Sequence, residues 1–163
     1  MLIELPVAWL VAINVLGWPV IHIAVSWGAT QLPLDTFAPE SWMFRPRKWE
    51  KGGAIYAHCV AIKRWKGCLP DAAPWFRKGF PKNKLAALAP DYLERFIQET
   101  CRSEAAHWMT MAAAPIFFLW NFWWVDLIMV FYAIMANLPC ILTQRYNRLR
   151  LTRLLWERKH RPR

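Results

Sequence analysis

The sequence predicts an all-α membrane protein with about three transmembrane helices, together with cytoplasmic amphipathic or interfacial segments. Three observations indicate this fold class. Hydrophobic residues make up 56% of the 163 residues, 12 residues are tryptophan, and the apolar residues are gathered into long blocks. Because a bilayer-spanning helix needs about 20 consecutive apolar residues, these blocks indicate membrane spans within a single domain, residues 1–163.

The first span is predicted at residues 5–27, which carry no formal charge. A cleaved signal peptide is the alternative, but this block has no basic flank before it and is longer than the usual apolar region of such peptides. The second block, residues 105–142, is too long for one crossing and contains Asp126 as its single charge. We expect two spans there, at 105–122 and 124–142, separated by a tryptophan-rich turn of the kind found at membrane interfaces.

The basic residues predict the orientation of these spans. Residues 28–104 contain 13 Lys and Arg against 8 Asp and Glu, and residues 143–163 contain 8 against 1. Basic segments remain in the cytoplasm. We therefore expect the N-terminus outside the cell, and both the loop 28–104 and the tail 143–163 inside. The net charge of +10 then reflects topology, and no nucleic-acid partner is expected.

The cytoplasmic loop mixes short apolar pieces with basic residues, a pattern typical of elements that lie on the membrane surface. Its cluster Lys63-Arg64-Trp65-Lys66 has two interpretations. The cations and the tryptophan could lie among anionic lipid headgroups, or they could bind the phosphate of a donor substrate. Apolar residues then recur at helical spacing after Pro90, so a helix is expected from about residue 91 into the second span.

Glu104 and His107 are candidate catalytic residues, because residues three apart share one helix face. A carboxylate beside an imidazole can fix its tautomer, as a general base requires; a pair without a catalytic role is the alternative. Di-iron sites need a second Glu-x-x-His copy, which is lacking, and the four cysteines show no CxxC spacing. No metal site or disulfide framework is therefore predicted.

Polar residues also continue along the third predicted span and into the tail. Asn137, Gln144 and Asn147 lie at spacings that place them on one helical stripe near the cytoplasmic side. Hydrogen bonding between helices is the alternative interpretation. His22 of the first span should lie at the same depth as His107 and Asn137. The expected convergence of these polar groups from three spans predicts a site, because polar groups inside a membrane are costly.

Three segments resemble the glycosyl-diaponeurosporenoate acyltransferases, small bacterial membrane proteins that act in staphyloxanthin biosynthesis. The first is residues 131–152, with the signature Asn137-x-Pro139 followed by Gln144-Arg145-Tyr146-Asn147-Arg148-x-Arg150. The second is residues 99–108, which include Glu104 and His107-Trp108, and the third is the basic cluster 63–66. The resemblance implies a multi-pass protein of the bacterial cell membrane that transfers a fatty acyl group to a sugar hydroxyl of a membrane glycolipid.

The resemblance also implies roles for the candidate residues. An acyl carrier or acyl-CoA would supply an acyl thioester as co-substrate, and no cofactor is expected. His107, oriented by Glu104, would deprotonate the sugar hydroxyl, and Asn137 or Gln144 would donate to the oxyanion. Arginines, with Lys63, would bind the phosphate of the donor. The residues expected to contact substrates are Arg145, Tyr146, Asn147, Arg148, Arg150, Lys63, Trp65 and His22.

Two other functions are compatible with the same residues. A non-enzymatic membrane subunit would bind lipid or a protein partner through the basic cytoplasmic face. A membrane methyltransferase or reductase would need a cofactor pocket, and no Gly-rich nucleotide-binding motif occurs in the sequence. Three short spans can barely enclose a lipid site by themselves. A homo-oligomer, a larger membrane partner and a groove open to the bilayer are therefore the alternatives that the sequence leaves open.

Overall fold

A computed structural model describes residues 3–70, 75–82 and 85–160. Residues 71–74 and 83–84 of the predicted loop and 161–163 of the predicted tail lie outside the described residues. The described chain is all-α, as predicted. Its α-helices are α1 (Val7–Gln31), α2 (Ala54–His58), α3 (Ile62–Trp65), α4 (Pro90–Ala112) and α5 (Trp123–Lys159). Short 3-10 helices occur at Leu34–Phe37, Lys48–Gly53, Lys66–Cys68 and Ala114–Leu119.

The helix α1 corresponds to the first predicted span. It follows Pro6 and ends before Pro33, where Leu32 is extended, as expected for a residue that precedes proline. Its surface is largely apolar and exposed; the exposed side chains include Val7, Trp9, Val11, Val15, Leu16, Val20, Ile23 and Trp27. An exposed apolar surface of this extent is typical of a helix that contacts lipid or another apolar partner.

The helix α5 contains the third predicted span and most of the predicted tail. It runs without a break through Pro139 to Lys159, a length of 37 residues. Its first half is apolar and exposed outward, with Trp123, Leu127, Phe131 and Met135 on the surface. Its second half carries the arginines of the signature. Within the described residues, α1 and α5 are the two helices long and apolar enough to cross a membrane.

The prediction of three spans is wrong in number, because residues 105–122 do not form a third long apolar helix. The helix predicted from about residue 91 does begin at Pro90 and continues past Glu104, but it ends at Ala112. Pro115 lies just beyond this end, and residues Ala114–Leu119 form a 3-10 helix instead. Proline has no N–H for a helical hydrogen bond, so the apolar block is interrupted.

The three long helices are arranged with α1 and α5 parallel and α4 antiparallel to both. At one end, the Ile3 N–H donates to the Leu119 carbonyl (2.9 Å), so the start of α1 lies beside the turn before α5. At the other end, Arg102 Nη2 donates to the Leu32 carbonyl (3.3 Å). The polar segments of all three helices therefore meet at the basic end of the molecule.

A tryptophan fixes the packing of the apolar end. Trp18 is buried against Phe117, with ring centroids 4.8 Å apart, and its Nε1 donates to the Met129 sulfur (3.3 Å). Together with Ala114 and Ala133, these side chains form one core cluster. These contacts join α1, the 3-10 helix Ala114–Leu119 and α5, so this 3-10 helix is held between the two long helices.

Two buried asparagines join the same elements by hydrogen bonds. Asn14 Nδ2 donates to Asn121 Oδ1 (2.8 Å), and Asn121 Nδ2 donates back to Asn14 Oδ1 (2.9 Å). The Trp120 indole also donates to Asn14 Oδ1 (3.0 Å). Because the amide groups pair with each other, the polar groups are satisfied inside an otherwise apolar environment.

Replacement of Asn14 by Leu should destabilise the fold, since it leaves the Asn121 amide and the Trp120 indole without this partner. A buried polar group that loses its partner costs about 1–3 kcal/mol. We expect a lower midpoint of thermal unfolding in detergent. The double variant N14L/N121L should be less destabilised than the sum of the single variants. Additive effects of the two substitutions would contradict the paired arrangement.

Candidate active site

A cavity of about 510 Å³ lies between α1, α4, α5 and residues 66–70 and 75–82. His22 and Ser26 line it from α1, His107 from α4, and Gln144 and Asn147 from α5. The structure thus brings His22, His107 and Gln144 to one cavity, while Asn137 lies directly behind it and is fully buried. Concave sites with a few convergent polar groups are typical of ligand-binding sites.

His107 and Asn137 form the polar pair at the wall of this cavity. His107 Nδ1 lies 2.9 Å from Asn137 Oδ1, and Asn137 Nδ2 donates to the Ala133 carbonyl (2.9 Å). Since the Asn137 amide donates to Ala133, its oxygen is the acceptor for His107. This network assigns the proton of a neutral His107 to Nδ1. Nε2 is then the basic nitrogen, as a general base requires.

The surroundings of His107 favour this neutral form. The ring packs beside Asn137 of the apolar half of α5, where burial disfavours the charged imidazolium. His107 can therefore accept a proton there without first losing one.

Several polar atoms around the cavity have no hydrogen-bond partner among the described residues. They are Arg102 Nε, Thr143 Oγ1 and Gln144 Oε1, and all three residues line the cavity. Buried polar atoms are costly when they lack a partner. A ligand that carries hydroxyl groups would provide both donors and acceptors for these atoms.

Glu104 does not orient His107, contrary to the expectation from the sequence. Its carboxylate is fully buried and binds two arginines of α5, at 2.9 Å to Arg145 Nη1 and 2.6 Å to Arg148 Nη2. Trp108 Nε1 also donates to it (3.3 Å). Glu104 therefore holds α4 against α5, and Asn137 is the residue that orients the imidazole.

Arg145 extends this ionic cluster to the loop that precedes α2. Its Nε donates to Glu50 (2.9 Å) and its Nη1 to the Met43 carbonyl (3.1 Å), and the Tyr56 hydroxyl donates to Glu50 (2.6 Å). Burial alone would raise the pKa of Glu50, but these hydrogen bonds and the charge of Arg145 outweigh it and lower the pKa. The Glu50 carboxylate is therefore ionised, and its bond to Arg145 holds the loop against α5.

Replacement of Glu50 by Gln should release this loop. We expect faster cleavage by trypsin at Arg47, Lys48 or Lys51, because the charge-assisted bonds to Arg145 are lost. Cleavage sites can be identified by mass spectrometry of the fragments. Glu40, which is exposed, provides the control: E40Q should be cleaved at the wild-type rate. An unchanged fragment pattern in E50Q would contradict the fastening role.

The remaining predicted substrate-binding residues lie on or near a second cavity of about 680 Å³. Tyr146, Asn147, Arg150 and Lys63 line it, whereas the Trp65 indole donates to the Val60 carbonyl (2.9 Å) and packs beside a core cluster. The two cavities share Lys66, Lys82 and Asn147 in their linings. The predicted residues therefore divide into three groups, one at each cavity and one in the buried ionic cluster.

The sequence interpretation missed two residues of these groups. Glu50 is the single acid between Arg45 and Lys51, and an isolated acid in a basic segment was the available signal for a buried partner. Lys66 was noted only as part of the cluster 63–66. Its ammonium donates to Asn147 Oδ1 (3.2 Å) and lies 5.2 Å from the Tyr146 ring centroid, so it stands between the two cavities.

Comparison with known proteins shows which family the chain matches. The family model of CrtO, glycosyl-4,4'-diaponeurosporenoate acyltransferase, matches residues 39–157. A glycosyl-4,4'-diaponeurosporenoate acyltransferase of Staphylococcus haemolyticus is 35% identical over 134 residues, which cover 82% of this chain and 78% of the relative. A protein of the same name from Staphylococcus aureus is 31% identical over 138 residues, covering 85% and 83%. No solved structure matches the chain.

These matches confirm the resemblance and the prediction of an enzyme, in preference to a non-enzymatic subunit. The family match includes every residue of the His107–Asn137 pair and of the Glu50–Arg145–Glu104–Arg148 cluster. The chain therefore belongs to the glycosyl-4,4'-diaponeurosporenoate acyltransferase family and is an acyltransferase.

Proposed function

We propose that this protein transfers a fatty acyl group from a thioester to a sugar hydroxyl of a membrane glycolipid. The acceptor we propose is a glycosylated carotenoid acid, the substrate that the names of its relatives state. The observation that carries the proposal is the His107–Asn137 pair, 2.9 Å apart at the wall of the cavity. The pair supplies a general base with a defined tautomer.

The chemistry follows from that tautomer. Nε2 of His107 takes the proton of a sugar hydroxyl while the hydroxyl oxygen attacks the thioester carbonyl carbon. The new C–O bond forms, the C–S bond breaks, and the imidazolium returns the proton to the leaving sulfur. General base catalysis of this kind contributes typically 10²–10⁴-fold to a rate. The chain then needs no covalent intermediate of its own.

The atoms without partners at the cavity suit a sugar. Gln144 and Thr143 offer acceptors, and Arg102 offers a donor; rotation of these side chains toward the cavity would let sugar hydroxyls pair with them. Cys101 is unsuited to act as a nucleophile, because burial raises the pKa of its thiol to about 11. The reactive thiolate would therefore be scarce at neutral pH.

We further propose that α1 and the apolar half of α5 cross the bacterial cell membrane with the basic end in the cytoplasm. Because both helices run in the same direction, the end of α4 and the 3-10 helix Ala114–Leu119 would return the chain across the membrane between them. The two helices start at the same apolar end, and the basic residues lie at the opposite end, as the positive-inside rule favours. The carotenoid part of the acceptor would lie in the bilayer beside the cavity. The acyl donor, on an acyl carrier or CoA, would approach from the cytoplasm, where these donors occur.

The proposal is tested in cells that make a glycosylated carotenoid acid but lack its acylation. Expression of the chain should convert the glycoside to a species heavier by one fatty acyl group, detected by mass spectrometry of lipid extracts. Mild alkali should reverse the mass shift, because the new bond is an ester. An unaltered glycoside in the presence of membrane-inserted protein would contradict this acceptor.

Asn137 is a positioning residue in this proposal, and its replacement by Leu should lower kcat about ten- to hundredfold with little effect on KM. The imidazole would lose the partner that fixes its tautomer and orientation, and small misplacements have effects of this size. Asn137→Asp should retain more activity, because a carboxylate still accepts from Nδ1. Since the carboxylate favours the protonated imidazole, the acid limb of the kcat profile should move to higher pH. Equal losses in both variants, with an unshifted profile, would indicate a structural role instead.

A further inference from the structure

The second cavity carries an unbalanced positive charge. Six cationic side chains line it, and Glu157 is its one acid among the residues that the structure describes; the cations are Lys51, Lys63, Lys66, Lys82, Arg150 and Arg153. Arg153 pairs with Glu157 at 2.9 Å. The excess charge contrasts with the buried cluster, in which Arg145 and Arg148 face two carboxylates.

Two of these cations, Lys66 and Arg150, lie over the ring of Tyr146. The Lys66 ammonium and the Arg150 guanidinium lie 5.2 and 5.7 Å from its ring centroid, and Arg150 Nη1 donates to its hydroxyl (3.2 Å). Burial lowers the pKa of Lys66, and the charges of Arg150 and Lys63 lower it further. An excess of cations along one cavity favours the binding of an anion there.

The two cavities adjoin at Lys66 and Asn147, which line both. A ligand with an anionic group in the second cavity could therefore extend a flexible arm past Lys66 toward His107. An acyl thioester on a phosphorylated pantetheine has this form, with phosphate at one end and the reactive carbonyl at the other. A lipid headgroup would provide a phosphate without a thioester, so it would leave the connection to His107 unexplained.

We propose that the second cavity binds the phosphate of a phosphopantetheine thioester, through Lys63 and Arg150, and directs its acyl end past Lys66 to His107. This inference rests on the proposed acyl transfer and names the class of donor for it. The arginines of the signature then have different roles. Arg145 and Arg148 hold the fold through carboxylates, and Arg150 contacts the donor.

Direct binding tests the inference without any turnover. Purified protein in neutral detergent is titrated with phosphopantetheine and with pantetheine, which lacks the phosphate. We expect the wild type to bind phosphopantetheine at least about tenfold more tightly, since hydrogen bonds to charged groups contribute roughly 1.5–3 kcal/mol and tenfold corresponds to about 1.4 kcal/mol. The variant K63Q/R150Q should lose this preference. The charge-conserving variant K63R/R150K should keep most of it.

Arg158 provides the matched control, because it is an exposed arginine of α5 that does not line the cavity. R158Q removes the same kind of charge and should bind phosphopantetheine like the wild type. Equal affinity of the wild type for the two ligands, or a preference that persists in K63Q/R150Q, would overturn the proposal. The acylation assay is independent of this binding assay. If esters form but phosphopantetheine binds no more tightly than pantetheine, the donor site is refuted and the proposed acyl transfer is not.

Competition identifies the source of the phosphopantetheine. CoA and a holo-acyl carrier protein are each added against labelled phosphopantetheine in the wild type. Displacement by either one supports the site, and the stronger competitor is then identified as the physiological donor. Failure of both to displace the label would overturn the proposal, because the site would not accept the arm from any carrier.

Discussion

Replacement of Glu104 by Gln should largely prevent accumulation of the folded protein. The substitution removes the fully buried charge that binds Arg145 and Arg148, and a buried ion pair that loses one partner costs about 3–5 kcal/mol. Since whole proteins are stable by only about 5–15 kcal/mol, this loss is large. The measurement is the midpoint of thermal unfolding in detergent, together with the amount of protein in the membrane fraction.

An exposed ion pair within α5 supplies the control. Glu157 lies 2.9 Å from Arg153 on the surface of α5, and exposed pairs four residues apart contribute about 0.3–0.5 kcal/mol. E157Q should therefore unfold close to the wild-type temperature. If E104Q kept the wild-type stability but lost activity, Glu104 would belong to the chemistry, as the sequence first indicated, and its structural role would be refuted.

Replacement of His107 by Gln should reduce acyl transfer by about 10²–10⁴-fold, the usual contribution of a general base. Gln can still bond with Asn137 through its amide, so the fold should be retained, but it cannot accept the proton of the sugar hydroxyl. The rate is followed as ester formation at saturating donor and acceptor. Unfolding temperatures of H107Q and the wild type should agree within a few degrees.

His58 is the matched control for that experiment, because it is exposed on α2 and lines neither cavity. H58Q should acylate at the wild-type rate. Retained activity in H107Q would remove His107 from the mechanism. His22 lines the same cavity, so H22Q in addition would show whether the other imidazole of the cavity substitutes for it.

The sequence predicted helices well where hydrophobicity alone determines them. Both α1 and the apolar half of α5 follow from uninterrupted blocks of suitable length. Residues 105–122 were harder to predict, because their hydropathy does not reveal that α4 ends at Ala112, just before Pro115. The continuation of α5 to Lys159 was also missed, since basic residues after a span look like a tail, although they are good helix formers.

The sequence predicted which residues form the candidate site, but it did not predict which of their side chains contact one another. Depth along the spans placed His22, His107 and Asn137 together, and the structure has them at or behind one cavity. Spacing along α4 suggested Glu104 as the partner of His107. The ionic partners of Glu104 are on α5, because one buried and one partly buried arginine attract a carboxylate far more strongly than a neutral imidazole does. Such choices depend on tertiary contacts that one helix cannot show.

Ester formation by the purified chain tests the central claim most directly. The wild type, with no other protein present, is incubated with a glycosyl-diaponeurosporenoate and an isotopically labelled acyl-CoA or acyl carrier protein. The predicted result is a labelled acyl ester on the sugar, formed by the wild type and H58Q and nearly absent from H107Q. An ester formed equally by H107Q, or a label found anywhere other than on the sugar, would contradict the account.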